Sequence, residues 1–167
     1  MNRKKFSHKT HSGFIASDKT KNMNLLAHHA FPELKKHKGI LVNITSKTAE
    51  TGQEGTSPYA AANGGRNALT REWAVELAKY SIRANAVVVA ECYTPLYEMW
   101  LQRTPNPEEK RKEVVSTIPF EQLFKTAEET GATEAFLLSP VSSYTTGQLV
   151  HVDGGYVHLD RAMANAG

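Results

Sequence analysis

The sequence predicts an α/β fold in which a parallel sheet is flanked by helices. Two apolar runs, residues 40–44 and 82–89, are separated by a helical segment that begins near residue 57. A third apolar run, residues 148–152, follows a further helical segment. Strands that alternate with helices along a chain are typical of βαβ units, which build parallel sheets with right-handed crossovers.

The composition predicts one domain in the cytoplasm. A chain of 167 residues with 40% hydrophobic content can form one core and is too short for two comfortable domains. The single cysteine, Cys92, excludes an internal disulfide framework and is compatible with a reducing compartment. The sequence has no run of about 18 apolar residues and no apolar core of a signal peptide, so we expect no membrane partner.

The first 22 residues predict a basic, disordered leader. Their only acidic residue is Asp18, and large apolar residues are few, so the segment can bury little on its own. It contains no recognisable motif, and we expect no nucleic-acid partner. Residues 23–167 are the predicted domain. The basic side chains of the leader are Arg3, Lys4, Lys5, Lys9, Lys19 and Lys21.

The domain is predicted to begin with a helix from Asn24 to a stop at Gly39, with lysines in its last turn. The apolar run 40–44 follows at once and predicts a strand buried on both faces. Ser46 then lies at the carboxyl end of that strand. Ligands of open α/β sheets bind in the crevice beyond the carboxyl ends, so Ser46 is a candidate site residue.

The next helix is predicted to have Ser57 as its N-cap and Pro58 at its first helical position, and to run to about Lys79. It carries Tyr59 near its start. The strand 82–89 follows, then an irregular and partly helical segment over residues 93–125. A helix over residues 127–138 and the strand 148–152 complete the predicted elements.

Separated motifs follow one another along residues 24–161. They are Asn43-Ile44-Thr45-Ser46, Tyr59 with its alanines, Ala68-Leu69-Thr70, Ile82-Arg83-Ala84-Asn85-Ala86-Val87, Thr94-Pro95-Leu96, Thr146-Gly147-Gln148 and Val152-Asp153-Gly154-Gly155. In this order and spacing they resemble the C-terminal half of the short-chain dehydrogenases/reductases. The resemblance implies part of a doubly wound, Rossmann-like parallel sheet, a three-layer α/β/α remnant. It also implies oxidation of an alcohol, or reduction of a carbonyl, with NAD or NADP.

The resemblance assigns catalytic roles to residues of this chain. In the family a tyrosine acts as general acid or base, a serine hydrogen-bonds the same substrate oxygen, and a lysine four residues after the tyrosine holds the nicotinamide ribose. These positions are Tyr59, Ser46 and Asn63 here, so Asn63 replaces the lysine. The fourth active-site residue of the family, an asparagine, corresponds to Asn24, and Asn22 competes for that match.

The resemblance also implies where a cofactor would bind. The family contacts the nicotinamide with the segment that leads to a threonine, here Cys92 and Thr94, and contacts the ribose from the position of Asn63. However, no Gly-rich turn of the kind that holds a pyrophosphate occurs before Asn24. Binding of a nicotinamide cofactor is therefore expected to be impaired.

Asn63 should weaken the chemistry as well. A phenol with its ordinary pKa of about 10 is almost fully protonated at neutral pH, so a tyrosine acid–base needs a nearby cation. Asn63 can donate a hydrogen bond but has no charge. Arg66, one turn further along the helix, is an alternative cation. We expect weak activity or none.

The histidines do not predict a metal site. His28, His29, His151 and His158 lack the paired spacing with cysteines or carboxylates that is typical of zinc ligands, so we expect surface or interface histidines and no metal.

Three functions remain open. The chain is a weak oxidoreductase for a small-molecule alcohol or carbonyl, a non-catalytic interaction module, or a truncated pseudo-enzyme. The helices that begin near Asn24 and Tyr59 resemble the family's dimerising pair, and the strand 40–44 would be an unprotected apolar edge without the family's preceding strands. We therefore expect a homo-oligomer, or a hetero-oligomer with a full-length relative.

Overall fold

A computed structural model describes residues 10–160, with side chains from residue 22 onward. It contains five α-helices, three strands and two short 3-10 turns within these residues. The helices are α1 (Thr10–His37), α2 (Ser57–Ala78), α3 (Pro95–Leu101), α4 (Pro107–Ser116) and α5 (Ala127–Leu138), and the 3-10 turns are Lys47–Ala49 and Pro140–Ser142. The strands are β1 (Ile40–Ser46), β2 (Arg83–Val89) and β3 (Leu149–Val152). Within residues 10–160, no helix is both long enough and apolar enough to cross a membrane.

The three strands form one parallel sheet in the order β1-β2-β3. The register aligns Ser46 with Val89, and Val89 with Val152. The carboxyl ends of the three strands therefore meet at one edge of the sheet, which confirms the predicted α/β fold with parallel strands. This alignment brings the loops after β1, β2 and β3 together, and the candidate site lies there.

The central strand β2 forms the core of the sheet. Ala84, Ala86, Val87 and Val88 are fully buried. The prediction that β1 is buried on both faces is wrong, because its first three residues are only partly buried and Ile44 is 39% exposed. Within the described residues β1 pairs on one side only, and an edge strand is less covered than a central one.

Helix α1 is longer than predicted. It begins at Thr10 rather than Asn24, so residues 10–22 are helical where the sequence predicted a disordered leader, and residues 1–9 lie outside the described part. Adding residues to an existing helix is much easier than nucleating one, and a polar composition does not prevent it. The helix ends as predicted: Lys38 has a left-handed φ of 50°, and the Gly39 N–H donates to the Leu34 carbonyl at 2.8 Å.

Helix α2 begins one residue before the predicted position. Thr56, not Ser57, is the N-cap residue, and Pro58 is the second helical residue. The Thr56 hydroxyl does not cap the helix because it donates to the Gln53 carbonyl at 2.9 Å. Helix α5 agrees with its predicted bounds, and its start has the reciprocal hydrogen bonds of a capping box between Thr126 and Glu129.

Candidate active site

A cavity of about 850 Å³ opens beyond the carboxyl ends of β1 and β2. Ser46 and Tyr59 both line it, as do Cys92 and Thr94. These residues come from β1, the start of α2 and the loop after β2. The fold thus brings four of the predicted site residues to one cavity, because the strand ends and the first turn of α2 face the same edge of the sheet.

Ser46 is held in place by the turn that follows it. Its side chain is almost buried, at 7% exposure, and its hydroxyl oxygen accepts hydrogen bonds from the N–H and the hydroxyl of Thr48, at 3.3 and 3.2 Å. A serine hydroxyl has two acceptor positions and one hydrogen to donate. Since Thr48 uses the acceptor positions, the hydrogen is the group that Ser46 can offer to a ligand.

Tyr59 lies in the first turn of α2 and is 45% exposed at the cavity wall. Asn63, one turn later, is only 1% exposed and does not line the cavity. Its side-chain amide donates to the backbone carbonyl of Tyr59 at 2.9 Å, and its carbonyl oxygen accepts from the Arg66 guanidinium at 3.4 Å. The Asn63 side chain is thus bonded within α2.

The alternative cation, Arg66, is also directed away from the cavity. Its Nη1 donates to the backbone carbonyl of Ile44 at 3.1 Å, on β1, and its buried Nε has no hydrogen-bond partner. Arg66 does not line the cavity with Tyr59. The hypothesis that Arg66 replaces the family lysine therefore finds no support in this geometry.

A different cation, Lys47, lies in the cavity wall. Its side chain is 8% exposed, its Nζ forms an ion pair with Glu91, and the same Nζ lies 3.5 Å from the centroid of the Tyr156 ring. Sequence reasoning missed Lys47 because it searched for a cation only along α2. The available signal was a lysine directly after Ser46, at the end of a buried strand.

Glu91 connects this cation to the loop after β2. Its second carboxylate oxygen accepts a hydrogen bond from the Tyr97 hydroxyl at 2.5 Å. Burial, and next the hydrogen bond to Glu91, raise the pKa of Tyr97 far above its ordinary value. Tyr97 therefore stays protonated and serves as a donor to Glu91, and the Lys47–Glu91–Tyr97 group forms one wall of the cavity.

Asn24 and Asn22 are not part of the cavity. Both are exposed on α1, which packs against α2, and neither lines the space around Ser46 and Tyr59. The correspondence of Asn24 with a fourth active-site residue therefore stays a prediction.

A second, smaller cavity of about 500 Å³ adjoins the ends of β2 and β3. Lys125 lines it, and its ammonium donates to the Thr130 hydroxyl. Burial lowers the pKa of Lys125, although Cys92, Glu129 and Asp153 oppose this shift. Lys125 is therefore a cation that is partly desolvated by its surroundings.

The glycine turn after β3 does not offer a cradle for a pyrophosphate. The one glycine pair that directly follows a described strand is Gly154-Gly155, and Asp153 already accepts from the N–H groups of Gly155 and Val157, each at 2.9 Å. A side chain at Gly155 would lie 2.5 Å from Leu159, so the turn is filled by the chain itself. Cys92 and Thr94 line the first cavity, where they could contact the nicotinamide end of a cofactor.

Comparisons with known proteins agree with this architecture. Residues 17–157 match the family model described as enoyl-(acyl carrier protein) reductase. The chain is 38% identical over 124 residues to 3-oxoacyl-acyl-carrier-protein reductase FabG of Thermotoga maritima, a match that covers 74% of this chain and 48% of the relative. The chain spans about half the length of the curated relatives it matches.

Solved structures show the same relationship. The crystal structure of Cj0485 dehydrogenase is 49% identical, with a TM-score of 0.79, and the match covers 81% of this chain and 52% of that one. Levodione reductase is 28% identical with a TM-score of 0.86, over 95% of this chain and 62% of that one. A candidate NAD(P)-dependent gluconate 5-dehydrogenase from Beutenbergia cavernae is 26% identical, with a TM-score of 0.72, and the match covers 80% of this chain and 52% of that one. That structure contains bound NADP at low occupancy.

Proposed function

The chain belongs to the short-chain dehydrogenase/reductase family, and on this premise we propose that it carries the substrate-binding part of an NAD(P)-dependent alcohol or carbonyl oxidoreductase site but turns over weakly or not at all by itself. One observation carries the proposal. Ser46 and Tyr59 line the same cavity, whereas Asn63 is enclosed within α2.

The cavity suits a small substrate with one hydroxyl or carbonyl oxygen. Ser46 offers a hydrogen for that oxygen, and Tyr59 reaches the cavity from the neighbouring helix. Leu96, Met99 and Trp100 supply apolar surface on α3. A pocket with largely apolar walls and a few placed hydroxyl groups fixes the orientation of such a substrate.

Two features are expected to limit turnover. The first is charge: Lys47, which directly follows Ser46 and lines this cavity, is neutralised by Glu91, so it is not available to favour ionisation of a phenol. The second is the cofactor: NAD or NADP would need its pyrophosphate held elsewhere than in the Gly154-Gly155 turn, whose N–H groups are already bonded to Asp153. The compartment we propose is the cytoplasm, where Cys92 would remain a thiol.

The proposal is tested by a spectrophotometric assay of the purified chain. NADH or NADPH is supplied at millimolar concentration with a panel of aldehydes and ketones, and cofactor binding is measured in parallel by calorimetry. We expect little or no oxidation of the cofactor. Robust turnover that disappears in the Tyr59→Phe variant would contradict weak or absent activity, whereas turnover that persists in that variant would contradict the role of Tyr59.

A second candidate function is a non-catalytic interaction module, either an independent one or the surviving role of a truncated pseudo-enzyme. The α1–α2 pair exposes Leu25, Leu26 and Val75, at 46%, 72% and 77%, and the outer edge of β1 has no strand partner among the described residues. Exposed apolar side chains and an open strand edge favour self-association. The partner would be a second copy or a full-length relative.

Light scattering on the purified chain tests this second function. We expect a defined oligomer that dissociates when Leu26 and Val75 are changed to glutamate, and the matched control is Val141→Glu, at an 82% exposed position outside α1 and α2. A monodisperse monomer would contradict the interaction module. A cooperative thermal transition would in addition argue against a poorly folded remnant.

A further inference from the structure

We propose that Glu50, His151 and His158 form a binding site for a divalent transition metal, with Zn²⁺ as the best-matched ion. The three residues come from the loop after β1, from β3 and from the turn that follows β3. Each offers one ligand atom, and these atoms all lie within 4.8 Å of one another. The proposal concerns a site separate from the Ser46–Tyr59 cavity.

The geometry is close to that of a bound ion. The Nε2 of His151 lies 3.0 Å from the Oε2 of Glu50. The rings of His151 and His158 meet edge to face, with centroids 4.4 Å apart and an angle of 88° between their planes. Ligand atoms about 2.0–2.1 Å from a tetrahedral zinc are about 3.4 Å from one another. The His158 side chain is exposed, so it has room to turn its nitrogen towards the other two ligand atoms, which lie within 4.8 Å of it.

The chemistry of the three donors selects the metal. Two imidazoles with one carboxylate form a set used by zinc sites that keep one position open for water. Ca²⁺ and Mg²⁺ prefer oxygen ligands only, so histidines argue against them. Among first-row ions, imidazole also suits Co²⁺, Ni²⁺ and Cu²⁺, and this allows Co²⁺ to serve as a spectroscopic probe.

Two of the three ligands are already positioned by the fold. His151 is part of β3, and its side chain is only 18% exposed. The Oε1 of Glu50 accepts a hydrogen bond of 3.2 Å from the side-chain amide of Asn67, a residue of α2 that is 6% exposed. Hydrogen bonds of this kind orient metal-binding carboxylates and are characteristic of functional sites.

Binding would connect two parts of the chain that matter for the candidate active site. Glu50 directly follows the 3-10 turn Lys47–Ala49, which also places Thr48 against Ser46. His158 belongs to the turn after β3. A metal that joins them would therefore hold the turn after β3 against the segment that positions Ser46. The ion would hold these two segments together while its remaining position is left to water.

The sequence did not predict this site because its ligands are far apart along the chain. Glu50 and His151 are separated by 101 residues, and short-range spacing cannot reveal such a pair. The fold brings them together because the carboxyl ends of parallel strands lie at one edge of the sheet.

The test is calorimetric titration of the full-length, metal-free chain with Zn²⁺, together with absorption spectra of the Co²⁺ form. We expect one ion per chain, an increase in thermal stability, and an affinity at least tenfold lower in His158→Ala and in Glu50→Gln. His158 is exposed, so its replacement should leave the fold intact. The matched control is the double variant His28→Ala/His29→Ala, which removes two exposed histidines of α1 whose rings are also in contact.

Three outcomes would overturn the proposal. They are no binding of Zn²⁺, an unchanged affinity in His158→Ala and Glu50→Gln, and an equal loss of affinity in the His28→Ala/His29→Ala control. Loss of affinity confined to the His158→Ala and Glu50→Gln variants, with d–d absorption of Co²⁺ in the visible range, would support it.

Discussion

The side-chain amide of Asn63 donates a hydrogen bond of 2.9 Å to the backbone carbonyl of Tyr59, one helical turn earlier. This contact joins the two residues through the backbone carbonyl of Tyr59. Asn63 is almost fully enclosed, whereas Tyr59 is nearly half exposed at the cavity wall. The position where the family has a lysine thus serves the packing of α2 in this chain.

This hydrogen bond predicts a structural role for Asn63. We expect the Asn63→Ala variant to lose about 1–3 kcal/mol of unfolding free energy, since it removes a buried amide and the acceptor that faces Arg66. Urea denaturation followed by circular dichroism measures the change. The control is Glu72→Ala, at an exposed position of the same helix. Equal stability of the two variants would contradict the structural role.

Because Lys47 and Glu91 form an ion pair, we expect removal of one partner alone to lower the unfolding free energy more than replacement of both. Both side chains are about nine-tenths buried, so Glu91→Gln should cost about 3–5 kcal/mol of unfolding free energy by leaving an uncompensated charge. The double variant Lys47→Met/Glu91→Gln should recover part of that loss. Denaturant unfolding of both variants measures the coupling.

The matched control for that pair is Glu113→Gln. It removes one partner of the more exposed ion pair between Lys110 and Glu113, which is 2.8 Å long. Such surface pairs contribute about 0–1 kcal/mol. A Glu91→Gln variant that is no less stable than this control would show that the buried ion pair does not form.

Lys125 predicts a pH dependence of stability. Burial lowers its pKa in the folded state, so the folded chain binds fewer protons than the unfolded chain between the folded-state pKa and the ordinary value of 10.5. The contribution of Lys125 to the unfolding free energy therefore increases as the pH rises through that window. Relative to Lys125→Met, the unmodified chain should become more stable as pH is raised towards 10.5.

Thermal unfolding over that pH range measures the difference in stability between the unmodified chain and Lys125→Met. Ionisable groups that both proteins contain contribute equally, so their effects cancel in this difference. Lys112→Met, at an exposed position of α4, is the control and should show no trend. A difference between the unmodified chain and Lys125→Met that does not change with pH would contradict the effect of burial.

The sequence predicted the order of strands and helices well, because that information is local. Apolar runs, the glycine stop at Gly39 and the helical pattern of residues 127–138 each depend on neighbouring residues. The burial of β1 was predicted wrongly, because it depends on whether another strand lies beside it. The early start of α1 was also missed, since composition alone says little about helix extension.

The candidate site was predicted only in part, for a related reason. Motif spacing identified Ser46 and Tyr59, which the sheet register then brings to one cavity. It could not show that Asn63 is directed away from that cavity, because side-chain orientation depends on packing. Lys47 and Glu91 meet across 44 residues, and no short-range pattern indicates such a contact.

Weak or absent catalysis by the isolated chain is tested most directly with the purified Asn63→Lys variant, whose turnover of NADH and NADPH is followed by absorbance with a panel of carbonyl substrates. We predict no turnover above that of Tyr59→Phe, because the lysine side chain would be enclosed beside Arg66 and because the sequence has no Gly-rich turn before Asn24 to hold a pyrophosphate. Turnover in the Asn63→Lys variant that is absent from the unmodified chain, and that is lost again in the double variant Asn63→Lys/Tyr59→Phe, would contradict this prediction.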